Sequence, residues 1–136
     1  MKTKSQLIEE FIETALNHGD IEGTGRYFHE DVVEEVPMPG QGPGLKGLKD
    51  VLAGMRSAFP DMRWIVEEQI EAGDKVVSRF TWSGTHRAVF LGIPPTGRQV
   101  KVWGMVIDRF VGEKVKSTRI IMDGVGMLVQ LGVLPS

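Results

Sequence analysis

Asp123 closes an apolar run, Ile120-Ile121-Met122, and is followed at once by Gly124. A carboxyl group set among apolar neighbours loses hydration, so its pKa rises and it can take and return a proton near neutrality. Strand periodicity places Arg119, Ile121 and Asp123 on one face, which puts a cation two residues from the carboxylate. The same Asp, ahead of Gly124-Val125-Gly126-Met127, also fits the N-cap of a short helix, and the spacing leaves both readings open. A second acidic pair, Glu34-Glu35, precedes Pro37. On a strand one member of such a pair points in and the other out; the spacing equally allows both at a solvated edge. His86 alternates with Phe80 and Trp82 along a run of strand character, as an acid–base group or a hydrogen-bonded structural residue. His18 and His29 read as surface residues. Phe59, Trp64, Trp82, Trp103 and Met105 supply core or the wall of an apolar cavity.

Composition removes several chemistries. The 136 residues include no cysteine, so disulfides, thiolate nucleophiles and cysteine zinc sites are excluded. This fits a reducing, cytoplasmic setting. A three-histidine metal site would need every histidine in the chain, and no metal or cofactor is expected. Sixteen basic and eighteen acidic side chains leave a net charge of −2, which argues against nucleic acid or an anionic membrane as the main partner, since both need a basic face. The N-terminus has no apolar signal segment, and the apolar stretch Met127–Leu134 is far too short to span a bilayer. Gly42-Pro43-Gly44-Leu45-Lys46-Gly47 has the glycine spacing of a dinucleotide fingerprint. The strands that follow read as antiparallel rather than as a βαβ unit, and Pro43 lacks the N–H a pyrophosphate would use. The segment reads as a wall-forming loop.

These residues must be positioned by the elements around them. Residues 5–18 carry helical apolar spacing with Ser5 as N-cap; 47–59 form another helix ended by Pro60, and a short helical stretch lies near Asp20–Phe28. Residues 32–36 read as a short strand. After Pro60 the period changes to two, giving strands over 63–72, 75–86, 98–110 and 114–122, then a short helix over about 125–131. Helices first and strands after predict one α+β domain over 1–136, with helices laid on an antiparallel sheet and a pocket between the layers.

Three blocks carry a family likeness: Ala58-Phe59-Pro60-Asp61, Gly73 to His86 with Phe90 to Gly97, and Gln130-Leu131-Gly132. In these the chain resembles the SnoaL-like polyketide cyclases of the nuclear transport factor 2-like superfamily. The resemblance implies a cone-shaped barrel of a strongly curved, mostly antiparallel sheet, about three N-terminal helices over it and a short C-terminal helix. It implies a homodimer or higher oligomer, and intramolecular aldol ring closure without metal, cofactor or covalent intermediate. The family's acid–base Asp is placed on Asp123. The cavity His of characterised cyclases is missing from Trp103-Gly104-Met105-Val106-Ile107-Asp108, and Glu35 and Arg119 stand where relatives carry His and Trp. The expectation is an acid–base cyclase or isomerase acting on a small hydrophobic or aromatic carbonyl compound. Asp123 is its proton shuttle, with Glu35, Arg119, His86, Trp82, Trp103, Met105, Phe59 and Trp64 around the substrate. On this reading Asp123→Asn keeps the fold and abolishes turnover. A ligand-binding or dimerisation module is the alternative. An epoxide-hydrolase-like reaction ranks lower, because Asp108 and Arg109 are adjacent and face opposite ways.

Overall fold

The computed structural model describes residues 1–135. Thr3 opens helix α1 (Lys4–Phe11): its hydroxyl accepts from the Gln6 N–H while the Gln6 side chain bonds back to the Thr3 N–H. This reciprocal cap satisfies two orphan donors, and it moves the helix start two residues ahead of the expected Ser5. The helix continues as a wider π-helical segment, Ile12–Asn17, and Gly19 ends it at φ +83°. A 3₁₀ turn (Glu22–Arg26) leads into β1 (Phe28–Glu34), and α2 spans Gly44–Ala58. Strands β2 (Arg63–Ala72), β3 (Lys75–Thr85), β4 (Gln99–Val111) and β5 (Lys114–Met122) follow, then α3 (Gly124–Gln130).

The sheet order is β1-β5-β4-β3-β2. The last four strands pair antiparallel in sequence order, as the alternation predicts, while β1 joins β5 in parallel. The sheet is open at both ends rather than closed into a barrel. Register shifts in β1, in β2 at Val66/Glu68 and between β4 and β5 at Arg109/Phe110 interrupt the ladders; such bulges bend a sheet. Its inner face presents Val76, Phe80, Trp82, Val100, Val102, Val106, Phe110 and Val115, against Ile8, Phe11 and Ile12 of the first helical run and Leu52, Met55 and Ala58 of α2.

The glycine-rich loop has a steric explanation. A Cβ at Gly47 would lie 1.8 Å from the Gly42 carbonyl oxygen, and one at Gly44, where φ is +71°, would lie 2.7 Å from the Glu30 carbonyl oxygen. The loop folds back on the first turn of α2 and over β1, a path open only to residues without a side chain. It forms the expected wall.

Candidate active site

Between the helices and the sheet lies an apolar cavity of about 80 Å³. Ile8, Phe11, Ile12 and Leu16 wall it from the first helical run, Leu48 and Leu52 from α2, and Trp64, Phe80, Val106 and Ile120 from the sheet. Three polar side chains interrupt this lining: Glu34, Asp108 and Thr118. They come from adjacent strands and stand abreast. Thr118 on β5 is in register with Asp108 on β4 on one side and with Glu34 on β1 on the other. Outside lies an open groove of about 620 Å³, walled by Asp31–Glu34, Pro37 and the Gln41–Gly44 stretch of the glycine-rich loop. Glu34, Leu48 and Thr118 line both spaces, so they form the threshold between groove and cavity.

Asp108 is 3 % exposed, and burial pushes its carboxyl up to about 7. The Thr118 hydroxyl opposes that rise and the negative charge of Glu34 adds to it. Glu34 is half-buried and also raised, by burial first and by the charge of Glu35, against backbone N–H bonds such as that from Val36 at 3.1 Å. Two carboxyl groups facing one apolar space resist ionising together, which leaves one able to hold a proton while the other is charged.

The residues singled out in the sequence are distributed differently. Asp123 lies beyond the end of β5, where its Oδ1 accepts the Gly126 N–H at 2.9 Å and caps α3. Of its two readings the structure displays the cap, and Asp123 is not in the cavity lining. Arg119 points to the outer face of β5, where its Nε donates to Glu35 at 2.8 Å. The inward member of the acidic pair is Glu34. Trp103 and Met105 are 49 % and 39 % exposed on the outer face of β4 instead of entering the cavity. Both faces of β4 are apolar, so alternation shows two faces without showing which is inside. Trp82 and Phe59 are core. The Trp82 indole N–H reaches the Met122 sulfur at 3.2 Å, and Phe59 packs on Trp82, His86 and Phe90 at 5.0–5.4 Å. His86 is fully buried away from the cavity; its Nδ1 accepts the Thr96 N–H at 3.2 Å, which leaves the ring proton on Nε2. Of the expected set, Trp64 alone lines the cavity.

Asp108 left one signal in the sequence. It alternates with Val100, Val102, Val106 and Phe110, a carboxylate on an otherwise apolar strand face. Thr118 and Ile120 likewise share the opposite phase from Arg119 and Ile121. Among the described residues no three His, Asp or Glu side chains cluster as metal ligands, and no helix is long and apolar enough to cross a membrane.

A curved sheet under helices, holding an apolar cavity with a few convergent polar groups, defines a small-molecule-cavity fold of the nuclear transport factor 2-like type. The chain belongs to the SnoaL-like polyketide cyclase family, whose model matches residues 6–131. It is 27 % identical over 121 residues to the nogalonic acid methyl ester cyclase of Streptomyces nogalater, covering 88 % of this chain and 90 % of that one. Its fold matches TsrD from Streptomyces laurentii with a TM-score of 0.88 at 29 % identity, over 96 % of this chain and 95 % of that one. It matches IdmH, a putative polyketide cyclase from Streptomyces antibioticus, with a TM-score of 0.83 at 32 % identity, over 97 % and 100 % of the two chains.

Proposed function

We propose that the protein is a cofactor-independent acid–base enzyme, an aldol-type cyclase or isomerase of a small hydrophobic or aromatic carbonyl compound, in which Asp108 moves the proton. The observation that carries this reading is a carboxyl group buried in an apolar cavity and poised near neutrality. Its ionised form takes a proton from a carbon beside a carbonyl. The resulting enolate attacks a second carbonyl of the same molecule, and the carboxylic acid returns the proton to the new alkoxide. Bonds and charge balance without a co-reactant, and a group with a pKa near the working pH does both steps efficiently. Glu34, across Thr118, exchanges protons with the groove.

Size supports a division of the ligand. The cavity is smaller than the roughly 150 Å³ that accepts benzene in an engineered core, so only the reacting edge enters it and the bulk lies in the groove. The name of the Streptomyces nogalater relative supports ring closure. The protein acts as a homodimer, supported by the apolar outer sheet face, and in the cytoplasm, supported by the lack of cysteine.

The test is exchange of the α-protons of methyl acetoacetate in D₂O, followed by proton NMR. The wild type accelerates exchange, Asp108→Asn loses about 10²-fold or more of that acceleration, and Asp123→Asn stays within about twofold of wild type, as a helix cap remote from the reacting atoms should. Equal rates for wild type and Asp108→Asn, or the loss falling on Asp123→Asn instead, would overturn the assignment. No acceleration by the wild type would point to a binding module.

A further inference from the structure

We infer that the Trp64 indole N–H is the hydrogen-bond donor that positions the ligand's carbonyl oxygen in the cavity. Trp64 is 6 % exposed, and among the described residues its Nε1 has no acceptor within reach. A buried donor left unpaired is costly, and folded proteins rarely keep one without an unseen partner. Three other buried polar atoms share this condition, on Thr24, Tyr27 and His86, but none of those residues lines the cavity, whereas Trp64 does.

The indole is also held in place. Its ring packs on Phe80 at 4.6 Å and is stacked over Trp82 at 6.0 Å. Its backbone is clasped by Asn17 at the end of the π-helical segment: the Trp64 N–H donates to the Asn17 amide oxygen at 2.6 Å, and the Asn17 amide N–H donates to the Trp64 carbonyl at 3.0 Å. A donor fixed before the ligand arrives costs no reorganisation when charge develops on an oxygen, which is the physical basis of electrostatic preorganisation. The other polar side chains of the lining, Glu34, Asp108 and Thr118, present oxygen atoms, so Trp64 supplies the one N–H among the cavity side chains. Asp108 then faces the carbon acid while Trp64 holds the oxygen that becomes the enolate. That the ligand is a carbonyl compound rests on the function proposed above; the donor itself does not depend on proton transfer.

The experiment uses cyclopentanone and its isosteric hydrocarbon methylenecyclopentane as probes of the ¹⁵N-labelled protein. Three tryptophans give three indole cross-peaks, and Trp64→Phe assigns the one that disappears. Saturating cyclopentanone is expected to move the Trp64 indole proton downfield in both the wild type and Asp108→Asn, and methylenecyclopentane is expected to leave it without that shift. Trp64→Phe, which keeps a ring in the stack, should weaken cyclopentanone binding about fivefold to tenfold and leave methylenecyclopentane binding unchanged, the size of one neutral hydrogen bond. An indole proton that stays put under cyclopentanone, or one that moves equally with both probes, overturns the proposal on the wild type alone. Wild-type exchange in Asp108→Asn with an intact Trp64 shift would overturn the proton assignment and leave the donor standing, whereas lost exchange with no shift would do the reverse.

Discussion

Asp108 holds its proton near neutrality because the fold removes its water and returns only one hydroxyl. The consequence for stability has a definite sign. An unfolded Asp titrates near 3.8 and the folded one at about 7. Between those values the native state keeps a proton that the unfolded chain has released, so this carboxyl makes stability fall as pH rises from about 4 to about 7 and keeps it lowered above that. Asp108→Asn removes the penalty. Urea denaturation should show the variant more stable than wild type by roughly 1–3 kcal/mol at about pH 8 and less dependent on pH below about 7; a variant less stable than wild type at that pH would contradict the buried-acid picture. At the same scale, the residues that make the family legible in the sequence turn out to be fasteners. Asp61 accepts both the N–H and the hydroxyl of Thr85 at 2.7 Å, bonds that hold its carboxyl below the usual range. His86 stacks on Phe59 and is bonded to Thr96. Gln130 exchanges two hydrogen bonds with the Lys101 backbone. These blocks secure the fold, whereas Asp108, Glu34 and Thr118 lie outside them. The resemblance therefore reaches the family readily and the carboxylates that line the cavity poorly.

The elements explain which parts of the site could be read and which could not. Strands β2 to β5 follow the expected ranges within one residue at either end because their alternation is regular. Strand β1 begins at Phe28, four residues before the expected start; His29, Glu30 and Asp31 are polar, so alternation is weak there, and its parallel pairing with β5 depends on contacts 80 and more residues apart. The wide π-helical turn is also invisible to a periodicity of 3.6, although it delivers Ile12 and Leu16 to the cavity and Asn17 to β2. Two glycines of α2 separate sterics from helix propensity. Gly47→Ala forces a methyl group into the Gly42 carbonyl, while a Cβ at Gly54 meets nothing within 4 Å. Thermal unfolding should show Gly47→Ala destabilised by roughly 2–4 kcal/mol and Gly54→Ala stabilised by about 0.5–1 kcal/mol. If both variants gain stability, the loop does not pack on α2 as described.

At the scale of the molecule, the sheet carries large apolar side chains on both faces and the helices cover one. On the uncovered face Ile65, Trp103, Met105, Ile107 and Ile121 are 39–66 % exposed. Register sets Trp103 beside Thr81 and Thr81 beside Ile65, and sets Met105 beside Ile121. The same register sets Arg79 beside Met105 and Arg119 beside Ile107; exposed apolar side chains grouped in this way, interleaved with charges, suit an interaction surface, and the homodimer proposed above would bury them. Trp103→Glu places a charge at its centre. Sedimentation should give a dimer for wild type and a monomer for the variant, with the exchange activity of the cavity carboxylates retained in both; a monomeric wild type would leave this face with another role. The second apolar face is also what makes the inside of β4 hard to recognise from sequence: Trp103 and Met105 look as much like core as Val102 and Val106 do.

The proposed function requires that burial in the cavity keep the Asp108 carboxyl protonated up to near neutral pH. Its side-chain carboxyl carbon, assigned by its disappearance in Asp108→Asn, can be followed by ¹³C NMR across pH. A midpoint at about 7 is expected for Asp108. A midpoint in the ordinary carboxylate range, near 4, would contradict it.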